Sequence, residues 1–136
     1  PLPSIKTVQL LANTIARQKM QKLNCAECFL INRNGELTEG SSSNFFAIKD
    51  DTVYTPPLKD CLEGTVRGAI IELCKKNGIK VMEKSIKYST LKDYNEAFWT
   101  NAPHQIVPIK TLDSFRFQCI GKITQKLIDL IQKHKS

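Results

Sequence analysis

Leu37-Thr38-Glu39-Gly40-Ser41-Ser42-Ser43-Asn44-Phe45-Phe46 breaks a strand pattern with a carboxylate, a glycine and three consecutive hydroxyls before an apolar run, Phe45 to Ile48, resumes. That run has the unbroken apolar character of a buried strand. Pattern alone leaves the interruption open between two readings. It is either a Ser-rich turn whose short side chains bond their own backbone, or a place where something polar is held.

Upstream, Cys28 to Ile31 is a short apolar run that ends in Asn32-Arg33-Asn34-Gly35, and Asn-Gly is a strong hairpin signal because both positions tolerate positive φ. Cys28–Ile31 is therefore expected to pair with Glu36–Thr38, which leaves Glu39 at a strand end. Downstream, Phe45–Lys49 and Thr52–Thr55 flank Asp50-Asp51, a second hairpin signal, and Pro56-Pro57 ends the strand. The spacing predicts a four-stranded meander. Further along, Gly64-Thr65-Val66-Arg67 opens a helix that runs to Asn77-Gly78, with Ile70, Ile71 and Cys74 on its apolar side. A strand over Lys80–Ile86, a helical turn over Thr90–Tyr94, strands over Ala97–Thr100 and Ile106–Ile109, and an amphipathic helix over Thr124–Lys133 complete this half. At the start, two prolines make Pro1–Ile5 extended. The spacing of Val8, Leu11, Ile15, Met20 and Leu23 predicts a first helix over Thr7–Leu23 with Lys6 at its mouth.

Composition bounds what these elements can be. The chain has 136 residues, 41% hydrophobic and 24% charged, which suits one domain with its own core. No apolar run approaches the roughly 20 residues that span a bilayer, and Pro1-Leu2-Pro3-Ser4 lacks the layout of a signal peptide, so no membrane partner and a cytoplasmic location are expected. Lys and Arg exceed Asp and Glu by 20 to 13, a formal charge of +7, but the lysines are spread along the chain without a basic stripe interleaved with aromatics. A solvated surface is expected, not a nucleic-acid partner. Five cysteines, an odd number in apolar context, suit a reducing compartment. Cys25 and Cys28 have the spacing of half a metal site, yet no second pair or histidine follows suitably. They read as packing residues, and no metal is expected.

Ile5-Lys6-Thr7, the Leu37-to-Phe46 stretch, Thr55-Pro56-Pro57-Leu58, Gly64-Thr65-Val66-Arg67 and Phe98-Trp99-Thr100-Asn101, in that order and spacing, resemble the class IV (fold type IV) pyridoxal-phosphate enzymes. This family holds D-amino acid and branched-chain aminotransferases and aminodeoxychorismate lyases. The resemblance covers nearly the whole chain. It implies an α+β fold, the large C-terminal domain of these enzymes, with an antiparallel-rich pseudo-barrel sheet and flanking helices. Residues 1–136 would form that single domain, and the family's smaller N-terminal domain of about a hundred residues would be absent.

The resemblance also implies a site. Lys6 matches the Schiff-base lysine that holds pyridoxal 5'-phosphate, and a partly desolvated, cationic site is what keeps a lysine amine neutral enough to react. Glu39 matches the carboxylate that keeps the cofactor's ring nitrogen protonated, and Ser42 is the serine expected to bond cofactor oxygens. Gly64, Thr65 and Val66 match the glycine-led helix N-terminus that receives the phosphate, with Asn101 and Ala102 in the second phosphate turn. Two departures stand out. The family usually has Gly-Ile-Thr where this chain has Gly64-Thr65-Val66, so Val66 can offer only its N–H, and Thr100-Asn101-Ala102 replaces a hydroxyl-rich turn. Arg67 is expected to be structural. The implied activity is amino transfer between an amino acid and a 2-oxo acid in a full-length homodimer. Aminodeoxychorismate lyase, or an inactive isolated domain, is the alternative.

Overall fold

The computed structural model describes residues 5–9, 27–40, 43–58, 61 and 64–135. Among these residues the chain runs β1 (Ile5–Gln9), β2 (Glu27–Ile31), β3 (Glu36–Gly40), β4 (Asn44–Lys49), β5 (Thr52–Thr55), α1 (Thr65–Lys76), β6 (Lys80–Glu83), β7 (Ile86–Lys87), a 3-10 helix (Tyr88–Asp93), β8 (Glu96–Asn101), β9 (Gln105–Pro108), β10 (Thr111–Leu112), β11 (Phe115–Arg116) and α2 (Lys122–Lys135). The strands form a six-stranded sheet in the order β11-β10-β1-β2-β3-β7 and a five-stranded sheet in the order β6-β5-β4-β8-β9. Most pairs are antiparallel; β1 is parallel to both β2 and β10, and β5 to β6. This is the expected α+β class.

Alternation along β4 explains the layering. Phe45 and Ala47 join Phe29 and Leu37 of the six-stranded sheet, with Ala97, Trp99 and Leu112, in one core. Phe46 and Ile48 point the other way, into a second core with Phe98, Val66, Ile70 and Cys74, closed by Leu127 and Ile131 of α2. A strand covered on both faces has no polar side to show, which is why Phe45–Ile48 is an unbroken apolar run. Phe29 and Phe45 meet edge to face at 5.0 Å across the sheets. Phe46 stacks on Phe98 at 4.8 Å within the five-stranded sheet.

Both expected hairpins form. Asn32 closes the first by accepting the amide protons of Asn34 and Glu36 on its Oδ1, at 2.9 and 3.0 Å, and Gly35 takes φ +75°. Asp50 and Asp51, at φ 50° and 57°, form the second as a two-residue turn between Lys49 and Thr52. The predicted meander does not. β2 and β3 belong to the six-stranded sheet, whereas β4 and β5 belong to the other, so the chain changes sheets between Gly40 and Asn44. The Lys80–Ile86 strand is likewise split, β6 lying along β5 and β7 along β3.

The predicted first helix begins too early. Thr7, Val8 and Gln9 continue β1, paired residue by residue with Phe29, Leu30 and Ile31. Here the strand preference of Thr7 and Val8 and a hydrogen-bonded neighbour override the helical spacing. The remainder of that helix, with Cys25, lies outside the described residues; Cys28 is fully buried. The two-residue strands β10 and β11 are too short to carry a periodicity that a sequence pattern detects.

Side-chain ties seat the helices. Glu96, 3% exposed on β8, accepts the Thr124 and Ile123 amide protons at 2.8 and 3.3 Å and so caps α2, whose own first turn has no acidic residue. Arg67, 2% exposed, donates to the Pro56 carbonyl at 3.1 Å and to Glu83 Oε1 at 2.7 Å, tying α1 to β5 and β6. Its structural role is as expected.

Two stability predictions follow from these ties and turns. Glu83→Ala strands a buried guanidinium, and urea unfolding should show a loss of about 2 kcal/mol; no change would mean that the Pro56 carbonyl alone satisfies Arg67. Asp51→Gly relieves a left-handed residue whose ion pair with Lys122 is 3.6 Å long and exposed. It should raise stability by about 0.5–1 kcal/mol, read as a higher urea midpoint.

Candidate functional site

β2 is the middle of three strands, flanked by those of the expected site residues Lys6 and Glu39. On one side, β1 sets Lys6 in register with Cys28. On the other, β3 ends in Glu39 and Gly40. β3 carries one extra residue here: Phe29 pairs with Gly40 and Ile31 with Leu37, so Thr38 and Glu39 both stand against Leu30. Such a bulge bends the strand and re-aims a side chain. Thr38 secures it by donating its hydroxyl to the Leu30 carbonyl at 3.2 Å. Glu39 is half-buried. Ser42 lies outside the described residues, as does the Lys6 side chain.

Beyond Glu39, Gly40 donates its amide proton to the Ser43 carbonyl at 2.8 Å. A Cβ on Gly40 would strike Ser43 Oγ and lie 2.9 Å from the Glu27 carboxyl group, so only glycine fits. Glu27 itself is 1% exposed and accepts the Ser43 hydroxyl proton on Oε2 at 2.8 Å. Sequence reasoning missed it. Its one signal was a carboxylate inside an otherwise apolar Cys25-to-Ile31 segment.

The second part of the site is the start of α1. Gly64 holds the position before the helix with no side-chain hydrogen bond capping it. The amide N–H groups of a helix's first turn have no intrahelical acceptor, and Gly64 has no side chain of its own to cap them. A Cβ on Gly64 would strike Asn44 Oδ1, so the glycine lets this side chain stand at the helix mouth. Thr65 is exposed, whereas the Val66 side chain is 7% exposed and packs into the core below, leaving only its backbone to face outward. Asn44 is in register with Thr100 of β8. Thr100 is fully buried, yet its Oγ1 has no hydrogen-bond partner among the described residues.

Asn101 and Ala102 stand one and two residues beyond Thr100. Asn101 Oδ1 accepts the His104 amide proton at 2.9 Å, and the Ala102 carbonyl accepts from Gln105 Nε2 at 2.6 Å. Those groups close their own turn, so the hydroxyl of this region belongs to Thr100. Burial pushes the Cys74 thiol of the core up to about 11, and burial, then Tyr54, raises the Tyr94 phenol. No group of three or more His, Cys, Asp or Glu among the described residues is arranged to hold a metal ion.

Comparison with known proteins gives the family and the fold. The family model described as amino-transferase class IV matches residues 1–112. The D-alanine aminotransferase of Bacillus licheniformis is 35% identical over 118 residues, 86% of this chain and 40% of that protein. The branched-chain-amino-acid aminotransferase of Pseudomonas aeruginosa is 34% identical over 103 residues, 74% of this chain and 34% of that protein. The chain thus spans less than half the length of these curated relatives. Among solved structures, the branched-chain aminotransferase of Thermoproteus uzoniensis, crystallised with norvaline, superposes with a TM-score of 0.88 at 26% identity, over 97% of this chain and 50% of that one. The family match over most of its length, with a fold shared at that TM-score, makes this chain a member of the class IV aminotransferase family.

Proposed function

We propose that this chain is the cofactor-binding part of a pyridoxal 5'-phosphate-dependent aminotransferase that moves an amino group between an amino acid, of the D-alanine or branched-chain type, and a 2-oxo acid. The observation that carries this reading is the sheet order β1-β2-β3, which puts the strands of Lys6 and Glu39 on the two sides of one strand. Their backbones are then on the order of 10 Å apart across the sheet. The named types of the relatives, D-alanine and branched-chain aminotransferases, support the choice of substrate class.

The residues fit the cofactor. Its phosphate suits the glycine-led N-terminus of α1, where the Thr65 and Val66 amides and the helix dipole favour a dianion, and the Thr100 hydroxyl, without a partner among the described residues, is a donor beside them. The Asn101 and Ala102 backbone and the Ser42 hydroxyl would add contacts to the same cofactor. When bound, the cofactor supplies an electron sink for charge that develops at the substrate Cα. Glu39 would hold a proton on the ring nitrogen by accepting its hydrogen bond. The Lys6 amine would hold the cofactor and would carry the proton to and from the substrate Cα, since its tether would keep it in reach.

Mixing the chain with pyridoxal phosphate should produce the visible absorption band of the lysine-bound cofactor, and Lys6→Ala should abolish it. A wild type with no such band overturns this reading. Once the cofactor is loaded, single-turnover amino transfer from D-alanine and L-leucine should slow by about 100-fold or more in Glu39→Gln while the band persists. Equal rates would remove Glu39 from the site. Release of pyruvate from aminodeoxychorismate without any acceptor would replace the transaminase by the lyase.

A further inference from the structure

The Glu27 carboxyl group lies between the two strands that the functional reading depends on. It opens β2, in register with Ile5, the residue before Lys6. Both its oxygens are engaged: Oε1 accepts the Cys28 amide proton and Oε2 the Ser43 hydroxyl proton, each at 2.8 Å. The Gly40 backbone fits against this carboxyl group, and Gly40 in turn bonds the Ser43 carbonyl. Glu39 is therefore held from both sides. Behind it, Thr38 pins the bulge to Leu30; ahead of it, Ser43, bonded to Gly40, is pinned to Glu27. A buried acceptor that loses its donor carries its full desolvation cost, so the Ser43 bond is a strong local restraint on where Ser43 and Gly40 can sit.

We propose that Glu27 is a positioning residue that holds Ser43 against Gly40 and thereby fixes Glu39 at the cofactor's ring nitrogen. What Glu39 does rests on the functional reading above; the clamp itself is a property of the chain alone. The two are separated by one experiment on wild type, Glu27→Gln and Ser43→Ala. Ser43→Ala is included because it leaves the buried carboxyl group in place should Glu27→Gln fold poorly.

Site-resolved amide hydrogen exchange on the cofactor-free chain reads the clamp. Gly40 exchange should accelerate at least tenfold in both variants, with Ala47 and Phe98 amides unchanged. Titration with pyridoxal phosphate reads the positioning: cofactor affinity should fall at least tenfold in both, and the pH profile of the visible band should move toward that of Glu39→Gln. Unchanged Gly40 exchange in both variants overturns the clamp. Faster exchange with wild-type affinity and pH profile overturns the positioning role and leaves Glu27 a structural residue. A wild type with no band overturns the proposal through the functional reading, and accelerated Gly40 exchange in the variants distinguishes that result from a failed clamp.

Discussion

Strand β4 has no face that meets water, and the architecture depends on that. Phe45 and Ala47 complete the core between the two sheets while Phe46 and Ile48 complete the core beneath the helices. A change in the β4 register by one residue would exchange the two sets and place each against a surface shaped for the other. The neighbouring strand β8 repeats the arrangement, with Trp99 on one side and Phe98 on the other, so the two central strands lock each other.

A strand buried in this way must be entered and left by short turns of defined shape. It is left through Asp50 and Asp51, both left-handed. It is entered through the Gly40-to-Ser43 crossing, where the backbone passes too close to Glu27 and Ser43 for any side chain at Gly40. The candidate site lies at this entrance. Glu39 comes one residue before the crossing, and Asn44, one residue after it, stands at the mouth of α1 opposite the unpartnered Thr100 hydroxyl. The polar run is thus both the hinge between sheets and the join between the two parts of the site. This is why its sequence obeys neither strand alternation nor ordinary turn composition.

Helix placement shows the same economy of local signals. α2 has no acidic residue in its first turn, and the missing negative charge comes from Glu96, nearly thirty residues earlier on β8. Arg67 binds α1 to the exit of β5 and the end of β6. Neither tie can be found by reading one element at a time, because each joins residues that the fold alone brings together.

The sequence by itself determined the hairpins around Asn32-to-Gly35 and Asp50-Asp51, helix α1 with its glycine-led start, the burial of Phe45–Ile48, and, through the order of its motifs, the family. Each of these is written in neighbouring residues, as turn chemistry, periodicity or a specific run of side chains. Only the tertiary structure decided that β4 leaves the sheet of β3, that Thr7–Gln9 extend a strand, that the Lys80–Ile86 segment divides between sheets, and that Glu27 and Thr100 stand beside the predicted site. The physical reason is common to all four. Strand partnership and the burial of a polar group depend on hydrogen bonds and packing between distant segments, and local propensity is too weak to predict which distant segment wins.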